Sequence, residues 1–335
     1  MFILLRAIAV VLFACILTAQ AQPTSTEPVL SLSKGSGQAY PNRPIRLIVP
    51  FPPGGGTDAT ARILTQALSD AAGWQLVVEN RAGATGRIGT EFAARAPADG
   101  YTLVLGTAGP NAILPSTNAK LPYDAVKDFA PVSLIDSADY ALVAHPSMPI
   151  KTVKDIIAAA QSRPGQITFA SAGNLSVAHL AGEFFKQFAK INIVHVPYKG
   201  GGPAVIATLS GETALYFGGP SVVQQSKAGK LRAIATTGAR RSKIFPELPA
   251  IAETLPGYEI AQWVGVLAPA GTPRDIVANL HTTIVKAIST AKVTQQFAAV
   301  GSQPVGNSPE EFAAHIKAEI AKWQKVVSGL KVQID

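Results

Sequence analysis

Cysteine is almost missing from this chain, with one residue, Cys15, in 335. It lies within an apolar N-terminal segment that reads as a cleaved leader, so the processed chain has no thiol. Disulfides, thiol catalysis and cysteine-ligated metals are thereby excluded. Charge is scarce as well, at 15% of residues, and aromatics make up 7%. The formal net charge of +8 is not gathered into basic tracts interleaved with aromatics, which argues against a nucleic-acid partner. A mildly positive field of this kind suits a small anion better. Catalytic signatures are lacking too: the chain has no Gly-x-Ser-x-Gly elbow and no His-Glu-x-x-His pair. Its five histidines (His145, His179, His195, His281, His315) stand singly on distant segments. His179 and Glu183 are four residues apart on one helix face, but without a second ligand pair they read as a hydrogen-bonded or salt-linked pair rather than half a metal site. His195 reads as a core residue. Neither a metal nor a cofactor is expected.

What is present begins with export. Arg6 precedes the apolar run from Ala7 to Ala14, and Ala19-Gln20-Ala21 supplies a small-x-small cleavage site. This predicts a signal peptide over residues 1–21, cleavage after Ala21 and a periplasmic location. A membrane anchor is the competing reading, but the stretch from Ile3 to Thr18 is broken by Arg6 and falls short of the ~20 residues a bilayer needs. Leu12-Phe13-Ala14-Cys15 has a distant likeness to a lipoprotein box, which would leave only a very short apolar core after Arg6. Residues 22–42, rich in Ser, Thr, Gly and Gln without periodicity, predict a flexible tether.

The remaining length, in a chain that is 47% hydrophobic, is enough for two domains. From Pro44 onward, short β-rich runs alternate with helical patterns: Ile45–Val49, then Ile63, Leu64, Ala67, Leu68 and Ala71 at helical spacing, then Gln75–Glu79. Gly73 stops the first helix. This is βαβ grammar with a parallel sheet. It restarts after an extended stretch from Val132 to Ala144, and the last helices, which add no βαβ unit, fold back onto the first lobe. The predicted arrangement is α/β: lobe 1 from residues 43–140 and 262–335, lobe 2 from 141–261, with a hinge and a cleft between them.

Glycine-rich loops follow several of these strands. Phe51-Pro52-Pro53-Gly54-Gly55-Gly56-Thr57-Asp58 lies between the first strand and the first helix, where glycines let backbone N–H groups approach an anion at the helix start. It has neither the Gly-Lys-Ser/Thr ending of a triphosphate loop nor dinucleotide spacing. Ser171-Ala172-Gly173-Asn174 has the same strand-to-helix placement, as do Lys199-Gly200-Gly201-Gly202-Pro203 and Phe217-Gly218-Gly219-Pro220-Ser221. Taken alone, the first loop reads equally well as a helix cap, and the second reads better as one, with Asn174 or Ser176 as N-cap. Their recurrence at the carboxyl ends of strands is what an open α/β binding cleft requires. Arg81 and Arg87 suggest either a carboxylate clamp or surface pairing with Glu79 or Glu91. Trp263 either walls the cleft or fills the lobe junction.

Several stretches resemble the Bug family of extracytoplasmic solute receptors, the binding components of tripartite tricarboxylate transporters. They are Tyr40 to Gly55 with Asp58, Val77 to Ala84, Asp99 to Leu103, Val194 to Gly200 and Trp263 to Pro273. The resemblance implies a two-lobe periplasmic-binding-protein fold (type II-like), a monomer that holds a small carboxylate and delivers it to permease subunits in the membrane, and no catalysis. It places ligand contacts on Phe51, Gly55, Gly56, Thr57, Asp58, Thr107, Ser171, Ala172, Gly173, Asn174 and Gly218. Relatives often carry an acidic residue where this chain has Gly218-Gly219, which favours an organic or aromatic acid over an amino acid. The alternatives are an exported ligand-sensing subunit or an exported enzyme acting on a carboxylate. N-terminal sequencing of protein recovered from the periplasm should begin near Gln22, and an intact leader or a lipid on Cys15 would contradict the export reading.

Overall fold

The computed structural model describes residues 40–117 and 120–328. The predicted signal peptide at 1–21 and the predicted tether up to residue 39 lie outside the described residues. Tyr40 is already packed: its hydroxyl donates to the Gly100 carbonyl at 2.7 Å, and its ring meets those of Trp74 and Tyr101 edge-on.

β1 (Ile45–Val49) buries every residue but Arg46, as a strand covered on both faces must. The chain turns through the glycine loop into α1 (Gly56–Ala72), whose Ala61, Leu64, Ala67 and Leu68 are buried. α1 ends at Gly73, which takes a left-handed φ of 67°. β2 (Leu76–Asn80), α2 (Arg87–Ala94) and β3 (Thr102–Thr107) follow, then β4 (Phe129–Asp139) and β5 (Ala141–Ala144). The second run comprises α3 (Val153–Ser162), β6 (Thr168–Ser171), α4 (Val177–Ala189), β7 (Val194–Pro197), α5 (Gly201–Leu209), β8 (Leu215–Gly218), α6 (Ser221–Lys227) and β9 (Arg232–Thr236). β10 (Ala261–Pro269), α7 (Arg274–Ile288), α8 (Ala291–Ala299), β11 (Gln303–Pro304) and α9 (Pro309–Val327) complete the order. α9 starts on a capping box, Ser308 with Glu311, with Pro309 in its first turn. Among the described residues, no helix is long and apolar enough to cross a membrane.

Two sheets result, ordered β11-β4-β10-β3-β1-β2 and β7-β6-β8-β5-β9. Each keeps a parallel trio, β2-β1-β3 in the first and β7-β6-β8 in the second. The purely parallel sheet expected from the βαβ pattern is corrected by the strands that pass between lobes: β10 runs antiparallel to β3 and β4, and β5 antiparallel to β8 and β9. A strand that arrives from the other lobe needs no helical crossover, so it is free to enter in either direction. α6 and α8 are additions to the sequence reading, as is a π-helical turn at Gly109–Ile113.

The C-terminal segments lock this arrangement. Trp263 is 1% exposed and fills the core, with its Nε1 donating to Glu319 Oε2 at 3.1 Å, as does Trp323 Nε1. Gly265 is required by close approach, since a Cβ there would lie 2.2 Å from the Phe312 ring. α9 packs on β4 and also reaches α4 of the second sheet.

The two crossings sit side by side. Tyr140 alone separates β4 from β5, and Thr237 follows β9. The buried Thr237 hydroxyl donates to the Ile260 carbonyl at 2.6 Å and accepts from the Tyr140 N–H at 2.8 Å, while Thr237 N–H bonds to the Tyr140 carbonyl. Thr237→Val should leave polar backbone groups at both crossings without a partner and cost about 1–3 kcal/mol. A denaturant or thermal melt is expected to show it, at roughly 2–4 °C per kcal/mol, and an unchanged midpoint would contradict a tie at this position.

Candidate functional site

The loop before α1 is held from behind. The Asp58 carboxylate is buried and accepts from Gly54 N–H at 3.0 Å, Arg62 Nε at 2.8 Å and Asn80 Nδ2 at 3.0 Å. Asn80 Nδ2 also donates to the Phe51 carbonyl at 3.0 Å. The Arg62 hydrogen bond, ahead of burial, brings the Asp58 carboxyl down to about 2, so it stays ionised. Asp58 is therefore a brace of the loop and not one of the residues lining a cavity. α1 itself begins on Gly55, which has no side chain to cap the helix. Its first-turn N–H groups and the positive end of its dipole face outward, toward the second lobe.

They open on a cavity of about 740 Å³ lined by both lobes. Of the sequence-predicted residues, Phe51, Gly55, Gly56, Thr57 and Thr107 line it from the first lobe, and Ala172 and Asn174 from the second. Ser171, Gly173, Gly218 and Asp58 do not. Ser171 is fully buried, with Oγ 2.6 Å from His195 Nε2 and accepting from Gly173 N–H at 3.1 Å. Gly218 is a packing glycine: a Cβ there would lie 2.4 Å from Val222 and 2.5 Å from the Tyr216 ring. Its neighbour Gly219 lines the cavity instead.

Behind the second-lobe loop, the His195 ring stacks on His179 with centroids 3.9 Å apart. His179 Nδ1 accepts from Leu175 N–H at 3.1 Å, which fixes the loop where Leu175 has a φ of 58°. This acceptor role puts the ring proton on Nε2, facing Glu183 Oε1 at 4.0 Å. Burial holds both rings neutral, lowering His179 to about 3 and His195 to about 4. Ser176 caps α4, accepting from His179 N–H at 3.2 Å. α5, like α1, starts on a glycine, Gly200, with no side-chain cap, and Gly200 and Gly201 line the cavity. Arg81 is paired with Glu79 at 2.6 Å and lies over the Phe92 ring, which is the surface reading of that residue.

Wall residues that escaped the sequence include Thr85, Tyr140, Tyr216 and Gln262. The Tyr140 hydroxyl donates to Gln262 Oε1 at 3.3 Å, so the amide Nε2 faces Gly56, 3.7 Å from where a Cβ would sit. Thr107 Oγ1 is buried with no hydrogen-bond partner among the described residues, and so is Nδ2 of Asn111, whose Oδ1 accepts from Thr107 N–H at 3.1 Å. Among the described residues, no charged side chain lines this cavity. Donors and helix starts converge on it without a formal charge, a combination suited to binding an anion.

Known proteins share this organisation. Residues 60–332 match the tripartite tricarboxylate transporter family receptor. Protein BugT of Bordetella pertussis is 40% identical over 303 residues, covering 89% of this chain and 93% of that protein. A solved R. palustris structure with adipate is 37% identical, covers 87% of this chain and 98% of its own, and superposes with a TM-score of 0.79. MatC from Rhodopseudomonas palustris with bound malate is 30% identical, with 86% and 100% coverage and a TM-score of 0.75. The two-lobed α/β periplasmic-binding-protein fold is thus shared along nearly the whole described chain, and with a family match of this length the protein belongs to the tripartite tricarboxylate transporter receptor family.

Proposed function

We propose that this protein is a periplasmic receptor that captures a small carboxylate between its lobes and hands it to the membrane permease of a tripartite tricarboxylate transporter. The observation that carries this reading is the uncharged cavity into which the uncapped starts of α1 and α5 open, with Thr107 Oγ1 lacking a partner among the described residues. A carboxylate entering such a site exchanges water for charge-assisted hydrogen bonds in a medium of low dielectric, where each is stronger. The volume suits a small organic acid. Relatives solved with adipate and malate support the same ligand class.

In this reading, lobe 1 comprises residues 43–140 and 262–335, lobe 2 comprises 141–261, and Tyr140 and Thr237 lie at the hinge. Closure brings the Gly55–Thr57 and Ala172–Asn174 loops onto opposite sides of one carboxylate, so neither lobe suffices alone. Binding proceeds without chemistry. Ser171 and His195 are spaced like a nucleophile and its base, but Ser171 is fully buried and lines no wall of the cavity.

A cognate acid at ~100 times its dissociation constant should stabilise the protein by about 2.7 kcal/mol, which a thermal melt against a panel of mono-, di- and tricarboxylates reads directly. A shift with a sugar or a cation and none with any acid would contradict the carboxylate reading. Thr107→Val removes a hydroxyl that has no partner among the described residues, so the melting midpoint should hold or rise. Calorimetric affinity for the same acid should meanwhile fall roughly tenfold or more, and unchanged affinity would remove Thr107 from the site. Gly56→Val, which crowds the space facing Gln262 Nε2, should abolish binding in a folded protein; retained binding would move the ligand away from α1.

A further inference from the structure

A second cavity, of about 1090 Å³, lies against the first. The two share Gly54, Gly55, Gly56 and Gln262 among their walls, so a molecule held at the start of α1 faces both. One side is closed where the lobes meet, since a Cβ on Gly301 would lie 2.0 Å from Pro220. The second cavity differs from the first in having a buried acid in its wall, Asp136.

Asp136 lies on β4 and is 3% exposed. Thr60 Oγ1 donates to its Oδ2 at 2.6 Å, and Ser302 Oγ to the same oxygen at 3.4 Å. Among the described residues, Oδ1 receives no hydrogen bond and the carboxyl has no cationic partner. Burial outweighs the two hydroxyls and pushes Asp136 up to about 6, so at neutral pH the group is still mostly ionised. A buried carboxylate with no counter-charge is costly unless a partner arrives. The lysine in the same cavity, Lys227, is exposed on the second lobe with Nζ 5.8 Å from the Phe245 ring, and forms no ion pair with Asp136.

The spacing ties this acid to the anion site. Thr60 is four residues along α1 from Gly56, a rise of roughly 6 Å. A solute whose carboxylate is held by the first-turn N–H groups of α1 needs only a short alkyl chain to bring its far end to Asp136. We propose that Asp136 reads that far end: it accepts a protonated amine and disfavours a second carboxylate. This assignment deepens the carboxylate reading and rests on it. It also restores amino acids with a distal ammonium as ligands, since the acid missing after β8 is supplied by β4.

The test is calorimetric titration of the purified protein at neutral pH with three acids of one length: aminocaproate, caproate and adipate. Aminocaproate should bind at least about tenfold more tightly than the other two. Asp136→Asn keeps an acceptor for Thr60 and Ser302, and its thermal midpoint verifies that it folds. In that variant the advantage of aminocaproate should shrink to within about twofold, and adipate should gain affinity. Equal binding of aminocaproate and caproate in the parent, or an advantage that survives in Asp136→Asn, overturns the role of Asp136 and leaves the carboxylate site standing. Absence of binding by all three acids, while another carboxylate of the melt panel binds, overturns this proposal alone; absence of binding by every carboxylate contradicts the carboxylate reading and this proposal with it.

Discussion

Among the described residues no side chain satisfies the first-turn N–H groups of α1, and the organisation of the cavity follows from that fact. A helix that starts on Gly55 forgoes the cap that Ser176 gives α4 and Ser308 gives α9. Forgoing a cap costs on the order of 1 kcal/mol. The loop nonetheless holds its shape because Asp58, kept ionised by Arg62, ties Gly54 and Asn80 together behind it. The donor surface is thus braced without a ligand, which limits the ordering that binding must supply.

The second lobe uses the same principle with different residues. Ser171, His195 and His179 form a continuous set of contacts beneath the loop, and His179 fixes Leu175 in a left-handed conformation. The rings have to be neutral for this, because one nitrogen of His179 accepts a hydrogen bond, and burial keeps them so. Each lobe thus keeps the polar groups that brace its loop, Asp58 in one and Ser171 with His195 in the other, out of the cavity wall, and leaves the glycine-rich helix starts in it. In the proposed function, backbone N–H groups take a carboxylate whatever the rest of the molecule is, which leaves discrimination to the more distant walls. In the larger cavity the buried acid is Asp136.

Much of this was legible from sequence, for physical reasons that differ by element. The glycine loops announced themselves because a backbone approach needs residues without Cβ, and strand-to-helix placement follows from apolar periodicity. The helix stop at Gly73 and the βα order were read in the same way. Asp58 and Ser171 do not line the cavity, and sequence could not show it, because a polar residue in a loop looks alike whether it faces open space or braces the turn; the partners, Arg62 and His195, show the bracing. Tyr140, Tyr216 and Gln262 were hidden because their place depends on antiparallel strands that return from the other lobe. Trp263 had two readings in sequence, and its bond to Glu319 settles it as core. Asp136 gave no signal, since its neighbours Thr60 and Ser302 come from segments far apart in the chain.

The central claim is that the start of α1 and the Thr107 hydroxyl hold a carboxylate. The most direct measurement is a crystal structure of the protein with an acid that raises its melting midpoint. The account predicts carboxylate oxygens within hydrogen-bonding distance of the first-turn backbone nitrogens of α1 and of Thr107 Oγ1, with second-lobe loop residues on the opposite side. A carboxylate paired with Lys227, or lying anywhere that leaves those nitrogens to water, would contradict it.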